Sequence, residues 1–198
     1  MKIGIFGGTF NPIHTDHLIL AETARETFGL DRVLFIPANL PPHKATRDLA
    51  PGLLRLKLIQ LAIRDHAAFA ASDLELHRPG VSYTIETVHA LRKQLPDATL
   101  FLLVGEDMLA VRWLAWDTLK RLCTIVVAHR SGKRTVRRDA GLPAPPAGVA
   151  QAGLKWLEMP RLDISSSDIR RRIASGRSIR YLAPAPVERY IRQHRLYR

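Results

Sequence analysis

Short apolar runs typical of buried strands alternate along the chain with segments in which apolar residues recur every three to four positions. The apolar runs predict strands over residues 2–6, 32–36, 69–76, 99–104 and 123–128. The segments with helical periodicity predict helices over residues 17–28, 53–63, 84–95 and 108–122. This order of elements is typical of parallel strands that are joined by helical crossovers.

The alternation predicts an α/β fold of the Rossmann-like, doubly wound type, in which a mostly parallel sheet carries helices on both faces. We expect residues 1–198 to form one domain, because this length suits a single core. Residues 131–153 combine Gly, Pro and Ala without periodicity and predict a surface excursion. After a short strand over residues 154–158, residues 160–198 predict a C-terminal helical part. Its capping box begins at Ser165, its stop signal is Gly176, and a last helix covers residues 186–195.

The segment between the first predicted strand and the first predicted helix is the most informative one in the chain. It reads Gly7-Gly8-Thr9-Phe10-Asn11-Pro12-Ile13-His14-Thr15-Asp16-His17. A glycine-rich turn before a helix presents backbone N–H groups and the positive end of the helix dipole, an arrangement that favours phosphate. Because His14 and His17 are three residues apart, we expect both imidazoles to face the captured anion. Two exposed histidines, or two ligands of a metal site, are the alternatives, although no third His or Cys stands at ligand spacing nearby.

Composition excludes several classes of protein. With 46% hydrophobic residues the chain is globular, and its longest apolar run, residues 100–104, is far too short to span a membrane. We expect no signal peptide, since a strand begins within two residues of Met1. The lone cysteine, Cys123, excludes a disulfide framework within one chain, so the reducing cytoplasm is the expected location.

The formal net charge of +12 favours a polyanionic partner at first sight. Residues 161–198 alone hold ten arginines against three acidic residues. However, the sequence contains no aromatic RNA-binding strand motif, no KH pattern and no zinc-finger spacing. We therefore expect most of these arginines to form a solvated face, and we expect no specific nucleic-acid partner.

Several motifs together resemble one enzyme family. Residues 7–17 resemble the GGTFDPIHxGH signature of nucleotidyltransferases, and further motifs resemble those of the bacterial nicotinate-mononucleotide adenylyltransferases. In chain order these are Pro41-Pro42-His43-Lys44 for PPH(K/R), Ser82-Tyr83-Thr84 for SYT, Gly105-Glu106-Asp107 for GxD, Trp113 for a ring-stacking tryptophan, Ile164-Ser165-Ser166-Ser167-Asp168-Ile169-Arg170 for ISSTxIR, and the Leu196-Tyr197-Arg198 ending. Because the matches run in order along almost the whole chain, chance is a poor explanation.

The resemblance implies transfer of the adenylyl group of ATP to nicotinate mononucleotide, which yields deamido-NAD and pyrophosphate in NAD biosynthesis. It implies that Mg²⁺ arrives with ATP, without a dedicated metal site, and it says nothing about oligomeric state. The implied catalytic residues are His14, His17, Lys44 and Arg170. The implied ATP-binding residues are Gly7, Gly8, Thr9, Phe10, His14, His17, Gly105, Asp107, Ile164, Ser165, Ser166 and Arg170. The implied mononucleotide-binding residues are Asn39, His43, Lys44, Tyr83, Thr84 and Trp113.

Taken without the resemblance, some of these residues fit simpler roles. Asp107 suits a helix cap after a strand, Tyr83 and Thr84 suit the N-terminal cap of a helix, and a single Trp113 is more often a core residue than a ligand platform. Trp116 is expected in the interior. The histidines without a predicted role are His66, His77, His89, His129 and His194.

Two positions depart from the family signature. Asn11 stands in place of Asp, which is a near-isosteric change, and Asp16 stands in place of glycine. In the first turn of a helix a carboxylate is stabilising by about 0.3–1 kcal/mol, but Asp16 also brings negative charge close to the expected triphosphate. Asp16 therefore keeps open a non-catalytic binder of nucleotide or RNA. A sister nucleotidyltransferase with another phosphate acceptor, such as phosphopantetheine, also remains open because it shares the first motif, although residues 82–84 and Trp113 would then lack a purpose.

Overall fold

Parallel strands form a six-stranded sheet in the part of the chain that the structure, a computed structural model, describes: residues 1–42, 48–111, 113–131 and 153–198. The strands are β1 (Lys2–Gly8), β2 (Arg32–Pro37), β3 (Phe69–Ala71), β4 (Thr99–Gly105), β5 (Thr124–Ser131) and β6 (Leu154–Pro160). Their order is β3-β2-β1-β4-β5-β6, and every neighbouring pair is parallel. The order reverses between β1 and β4, which is the position where sheets of this type bind ligands.

Helices cover both faces of this sheet. They are α1 (Thr15–Phe28), α2 (Gly52–Ile63), α3 (Thr84–Gln94), a 3-10 helix (Glu106–Ala110), α4 (Trp116–Leu122), α5 (Ser166–Ala174) and α6 (Ala185–Gln193). Along β4, Phe101 and Leu103 pack in a core cluster with residues of α1, α2, α5 and α6, whereas Leu100 and Leu102 pack in a second cluster with residues of α3 and α4. Since successive strand residues point to opposite faces, one strand supplies both cores. None of the described helices is long and apolar enough to cross a membrane.

The predicted doubly wound α/β fold is confirmed. The observed bounds of β1, β2 and β4 extend the predicted ones by one or two residues, and α2 and α3 differ from prediction by one residue at one end. Ser165 is confirmed as the N-cap residue of α5, because the backbone N–H of Asp168 donates to Ser165 Oγ over 3.1 Å. Helix α5 ends at Ala174, and Gly176 follows in the left-handed conformation with φ +69°. The last helix begins and ends near the predicted positions.

The predicted strand over residues 69–76 is wrong beyond residue 71. Ser72 and Asp73 begin a turn instead: Ser72 Oγ accepts a hydrogen bond from the N–H of Leu74, and the carbonyl of Asp73 accepts one from the N–H of Leu76. Both leucines of this turn are partly buried. Their apolar character therefore indicated burial correctly, but it did not distinguish a turn from a strand.

The predicted helix over residues 108–122 is also wrong, because the segment contains two separate helices. The 3-10 helix ends at Ala110, and Val111 is extended, with φ −93° and ψ 152°. Helix α4 begins only after Ala115, whose φ of +56° is incompatible with a continuous right-handed helix. The spacing of the apolar residues gave no sign of this interruption.

The surface excursion that the sequence predicts over residues 131–153 falls mainly on residues 132–152, which are outside the described residues. The excursion and the single-domain organisation of residues 1–198 stay predictions.

Candidate active site

The connection between β1 and α1 forms the centre of the candidate site. It leaves the carboxyl end of β1 next to the point where the strand order reverses, and α1 begins at Thr15 with His14 as the residue before it. The predicted start of this helix at residue 17 is two residues late. Residues 9–14 therefore form a turn at the carboxyl edge of the sheet, where phosphate groups bind in folds of this type.

The two glycines of this turn serve different purposes. A Cβ atom on Gly8 would lie 3.0 Å from the ring of Phe10, so Gly8 makes room for that buried ring. Around Gly7, by contrast, a Cβ atom would meet no atom within 4 Å. Gly7 therefore faces open space, in which a ligand can approach the backbone closely. Since the ring of Phe10 packs in the core with Phe6 and Phe35, it leaves only its backbone for contact with a nucleotide.

The two histidines of the turn lie side by side, as their spacing predicts. Their ring centroids are 3.6 Å apart, and the ring planes differ by 29°. The backbone N–H of His14 donates to Nδ1 of His17 over 3.2 Å. Because Nδ1 accepts this bond, the neutral imidazole of His17 carries its proton on Nε2. Nε2 of His17 is thus set up as a hydrogen-bond donor.

Asn11, the first departure from the family signature, uses both ends of its amide. Its Nδ2 donates to the carbonyl of Asp48 over 2.8 Å, and its Oδ1 accepts from the N–H of Ala50 over 3.2 Å. An aspartate has no donor for the first of these bonds. Asn11 therefore ties the turn to the segment that precedes α2.

Asp16, the second departure, is only 1% exposed, in the first turn of α1. Its side chain is thus inside the protein, in a position where the helix dipole favours a negative charge.

Helix α5 and the loop after it hold the same turn from the other side. Ser166 Oγ donates to the carbonyl of Pro12 over 2.8 Å, and Arg170 Nη1 donates to the carbonyl of Asn11 over 2.9 Å. At the start of α1, the N–H and the hydroxyl of Thr15 donate to the carbonyls of Leu182 and Tyr181. The ISSSDIR motif therefore lies against the histidine turn, and its first two residues, Ile164 and Ser165, immediately precede α5.

A second group of predicted residues meets beside the carboxyl end of β2. The N–H of Asn39 donates to Ser82 Oγ over 2.8 Å, and Leu40 forms a β-bridge with Val81. These contacts bring Asn39 close to Tyr83 and Thr84, at the start of α3. Tyr83 is the N-cap residue of α3 and Thr84 is its first residue, as the alternative role expects, but no side chain forms a hydrogen bond that caps this helix. The N-terminal end of α3 is thus available to a ligand.

Beyond β4, Asp107 is an exposed residue of the 3-10 helix. Its carboxylate folds back over Gly105, and a Cβ atom at Gly105 would collide with it. The alternative role of Asp107 as a helix cap is wrong, since the residue at the cap position is Gly105 and no side chain caps the helix. His129, near the end of β5, had no predicted role, but its Nδ1 pairs with the carboxylate of Glu106, the residue before Asp107.

Trp113 and Trp116 are both partly buried against the core cluster of α3 and α4. Their ring centroids are 5.3 Å apart, and the indole N–H of Trp113 donates to the carbonyl of Met108 over 2.7 Å. The interior position predicted for Trp116 is therefore confirmed only in part.

His43 and Lys44 belong to the predicted site but lie outside the described residues. Within the described ranges, no three His, Cys, Asp or Glu side chains stand close enough together to hold a metal ion.

Arg55 was not predicted from the sequence as a residue of the site. This residue of α2 is only 1% exposed, and its guanidinium donates to the backbone carbonyls of Thr9, Asn39 and Ala50. An arginine on a predicted helix is ordinarily assigned to the surface. No local pattern could therefore have revealed its burial.

Comparison with known proteins agrees with this architecture. The family model described as cytidylyltransferase-like matches residues 5–172. A protein of Geobacter sulfurreducens named "Probable nicotinate-nucleotide adenylyltransferase" is 43% identical over 212 residues, which cover 100% of this chain and 98% of that one. A protein of the same name from Synechococcus sp. (strain JA-3-3Ab) is 46% identical, with 99% and 94% covered.

Among solved structures, the nicotinic acid mononucleotide adenylyltransferase of Plasmodium falciparum complexed with NaAD has the same fold. It superposes with a TM-score of 0.76 at 17% identity and covers 99% of this chain and 97% of its own. At that identity the likeness concerns the fold, while the family follows from the closer sequence relatives. The chain belongs to the cytidylyltransferase-like family and, within it, to the nicotinate-nucleotide adenylyltransferases.

Proposed function

We propose that the protein transfers the adenylyl group of ATP to the phosphate of nicotinate mononucleotide, releasing pyrophosphate and forming deamido-NAD. The observation that carries this proposal is the pairing of two subsites at one edge of the sheet. One is the turn of Gly7, His14 and His17, and the other joins Asn39 to the start of α3. The names of the sequence relatives support the reaction, and so does NaAD in the structurally similar Plasmodium falciparum enzyme.

The reaction needs orientation and charge stabilisation more than it needs acid–base chemistry. A phosphate oxygen of the mononucleotide attacks the α-phosphorus of ATP, and the bond from that phosphorus to the bridging oxygen of pyrophosphate breaks. The attacking oxygen is already an anion, so no general base is required. The protein must hold two polyanions in line and stabilise the charge that develops on the α-phosphate and the leaving group.

The histidine turn supplies the donors for this task. Nε2 of His17 donates to a phosphate oxygen, and His14 lies against it as a second donor. The backbone of Gly7, Gly8, Thr9 and Phe10 passes close to the triphosphate, since Gly7 leaves that side open.

Cationic and hydroxyl groups complete the ATP subsite. Arg170 and Lys44 balance the charge of the triphosphate. A guanidinium has five N–H donors, so the bond from Arg170 to Asn11 leaves others for phosphate oxygens. Residues 164–166 form a second anion cradle at the start of α5. The exposed carboxylate of Asp107, next to Gly105, accepts hydrogen bonds from the ribose.

The second subsite takes the mononucleotide. Tyr83 and Thr84 stand at the uncapped end of α3, where the helix dipole favours the nicotinate carboxylate. Trp113 stacks on the pyridine ring, and Asn39, His43 and Lys44 border the ligand.

Transfer of a nucleotide from ATP generally uses a divalent metal ion. We assign this role to Mg²⁺ that enters bound to the phosphates of ATP, as part of the substrate and with water as its other ligands. The partners are thus two small molecules, without a specific nucleic acid, and the reaction takes place in the cytoplasm.

The test is pyrophosphate release from ATP and Mg²⁺, measured in parallel with nicotinate mononucleotide, nicotinamide mononucleotide and phosphopantetheine. We expect strong release with nicotinate mononucleotide and much weaker release with its amide. Release with phosphopantetheine alone would identify a sister enzyme. If folded protein that binds ATP releases no pyrophosphate with any of the three acceptors, the proposal is wrong and the protein is a nucleotide-binding module.

A further inference from the structure

The buried side chain of Arg55 forms hydrogen bonds with three separate segments of the candidate site. Its Nη1 donates to the carbonyl of Thr9 and its Nε to that of Ala50, both over 2.8 Å, and its Nη2 approaches the carbonyl of Asn39 at 3.5 Å. Thr9 follows β1 in the phosphate-binding turn, Asn39 follows β2 in the acceptor subsite, and Ala50 precedes α2. One buried side chain therefore contacts the backbone of both subsites.

The charge of Arg55 has no acidic partner among the residues that the structure describes. Every hydrogen bond that its guanidinium donates there ends on a backbone carbonyl. Arginine stays protonated in proteins, and burying an unpaired charge is costly. The nearby hydroxyl of Tyr197 does not neutralise this charge, because burial raises the pKa of that phenol to about 12. A full positive charge is therefore buried next to the phosphate-binding turn, where Arg55 bonds the carbonyl of Thr9.

The orientation of the peptide groups shows how Arg55 can act without touching a ligand. In a trans peptide the carbonyl of one residue and the N–H of the next point in opposite directions. Because the carbonyl of Thr9 points at Arg55, the N–H of Phe10 points away from it. The N–H of Leu40 points away from Arg55 for the same reason, but Leu40 is paired with Val81 in a parallel β-bridge. Arg55 therefore fixes the direction of one backbone donor, the N–H of Phe10, in the phosphate-binding turn.

We propose that Arg55 is a positioning residue for adenylyl transfer, which orients the turn at Thr9 towards the triphosphate and adds positive charge beneath it. This inference rests on the proposed function, because it assigns the triphosphate to that turn. Because only 1% of its surface is exposed, Arg55 acts on the ligand through the backbone that it holds and through the electric field of its charge.

The test compares variants that separate this role from ordinary core packing. Arg55→Met removes the charge and all three hydrogen bonds but keeps an unbranched apolar stem. Arg55→Lys keeps the charge but cannot reach three carbonyls at once. Ile59→Ala is the matched control, since Ile59 is a fully buried residue of the same helix that packs in the core cluster. Binding of Mg²⁺–ATP is measured by calorimetry, the Michaelis constants for both substrates by pyrophosphate release, and stability by thermal unfolding.

We expect Arg55→Met to weaken ATP binding by about tenfold or more, with a smaller effect on the Michaelis constant of the mononucleotide. Arg55→Lys should fall between this variant and the native protein. Ile59→Ala should unfold at lower temperature but bind ATP almost as the native protein does. If affinity for ATP instead falls in proportion to the melting temperature in all variants, Arg55 is only a structural residue and the inference is wrong. Should Arg55→Met not fold, the comparison of Arg55→Lys with Ile59→Ala decides in the same way.

Calorimetry keeps this result separate from that of the proposed function. Native protein that binds ATP but releases no pyrophosphate refutes the proposed reaction, while the affinities of the variants still judge the role of Arg55. Native protein that does not bind Mg²⁺–ATP refutes both.

Discussion

The backbone N–H of His14 donates to Nδ1 of His17, and the two imidazole rings stack with their centroids 3.6 Å apart. One contact thus fixes the position of His17 and leaves its Nε2 as the donor. In the proposed mechanism the two ring nitrogens have separate tasks: Nδ1 accepts the bond within the turn, and Nε2 donates to the phosphate. Substitutions that imitate one nitrogen at a time can distinguish these tasks.

His17→Asn places its side-chain oxygen near the position of Nδ1 and removes the donor at Nε2. We expect the fold to persist and kcat to fall by about 10²–10³, the usual cost of losing one preorganised donor to the transition state. His17→Gln brings an amide N–H near the position of Nε2 and should retain more activity. Steady-state pyrophosphate release measures both variants, with circular dichroism as the control for folding. An unchanged rate in His17→Asn would remove His17 from the mechanism.

Trp113→Ala should act mainly on the mononucleotide. Loss of a stacking platform for the pyridine ring costs about 1–3 kcal/mol, which is roughly a 5- to 150-fold rise in the Michaelis constant of the mononucleotide. The Michaelis constant of ATP should change little. Trp116→Ala is the matched control, because this ring packs beside Trp113 against the same core cluster. Equal weakening of both substrates in Trp113→Ala would contradict the stacking role.

Tyr197→Phe should leave the protein as stable as before or make it more stable. The hydroxyl of Tyr197 is buried and has no hydrogen-bond partner among the described residues, and such a group costs about 1–3 kcal/mol. Chemical denaturation at pH 7 measures the free energy of unfolding. Tyr181→Phe is the control, since Tyr181 is 81% exposed. A clear loss of stability in Tyr197→Phe would show that the hydroxyl is paired.

The same substitution should alter the response to alkaline pH. Burial raises the pKa of Tyr197 from 10.0 to about 12, so the folded state holds this proton more tightly than the unfolded state. Below pH 10 the phenol is protonated in both the folded and the unfolded state, so its ionisation does not affect stability. As the pH rises from 10 to 12 the phenol ionises first in the unfolded state, which lowers the free energy of unfolding by roughly 2 kcal/mol. In Tyr197→Phe the free energy of unfolding should therefore decline less steeply between pH 10 and pH 12. Parallel curves for the variant and the native protein would refute this.

Asp16→Gly should affect stability more than turnover. Glycine lacks the favourable charge in the first turn of α1 and is a poor helix former, so we expect a loss of about 1–2 kcal/mol. Because the carboxylate is buried rather than directed at solvent, kcat should stay within about threefold of the native value. Asp16→Asn separates the loss of charge from the loss of the side chain. An inactive native protein that gains activity as Asp16→Gly would instead favour the non-catalytic binder.

The central strands were predictable because helices cover both faces of the sheet. Strands buried on both sides are almost wholly apolar, and β1, β2 and β4 follow this pattern. The errors arose where backbone conformation overrides side-chain pattern. Ala115 is an ordinary helix former, yet its left-handed conformation separates α4 from the 3-10 helix. Composition alone does not encode such a break.

The same distinction applies to the candidate site: features that depend on local spacing were predictable, and those that depend on tertiary contacts were not. The side-by-side position of His14 and His17 was predictable because they are three positions apart in the sequence, and local spacing determines where they point. Arg55 was not, since its partners Thr9 and Asn39 are 46 and 16 residues away. The contact between Glu106 and His129, which are 23 residues apart, was not predicted for the same reason. Contacts between distant segments depend on the tertiary fold, which a single sequence shows only indirectly.

The histidine turn is held by residues that are synthesised after every described strand of the sheet. Ser166 bonds Pro12 across 154 positions, and Thr15 bonds Tyr181 across 166. The chain is synthesised from its N-terminus, so a nascent chain that ends before residue 166 already contains every described strand of the sheet but lacks these hydrogen bonds. The proposed nucleotide site is therefore completed only after the sheet has been synthesised, and a translation product truncated before residue 166 would carry the signature histidines without the contacts that hold their turn.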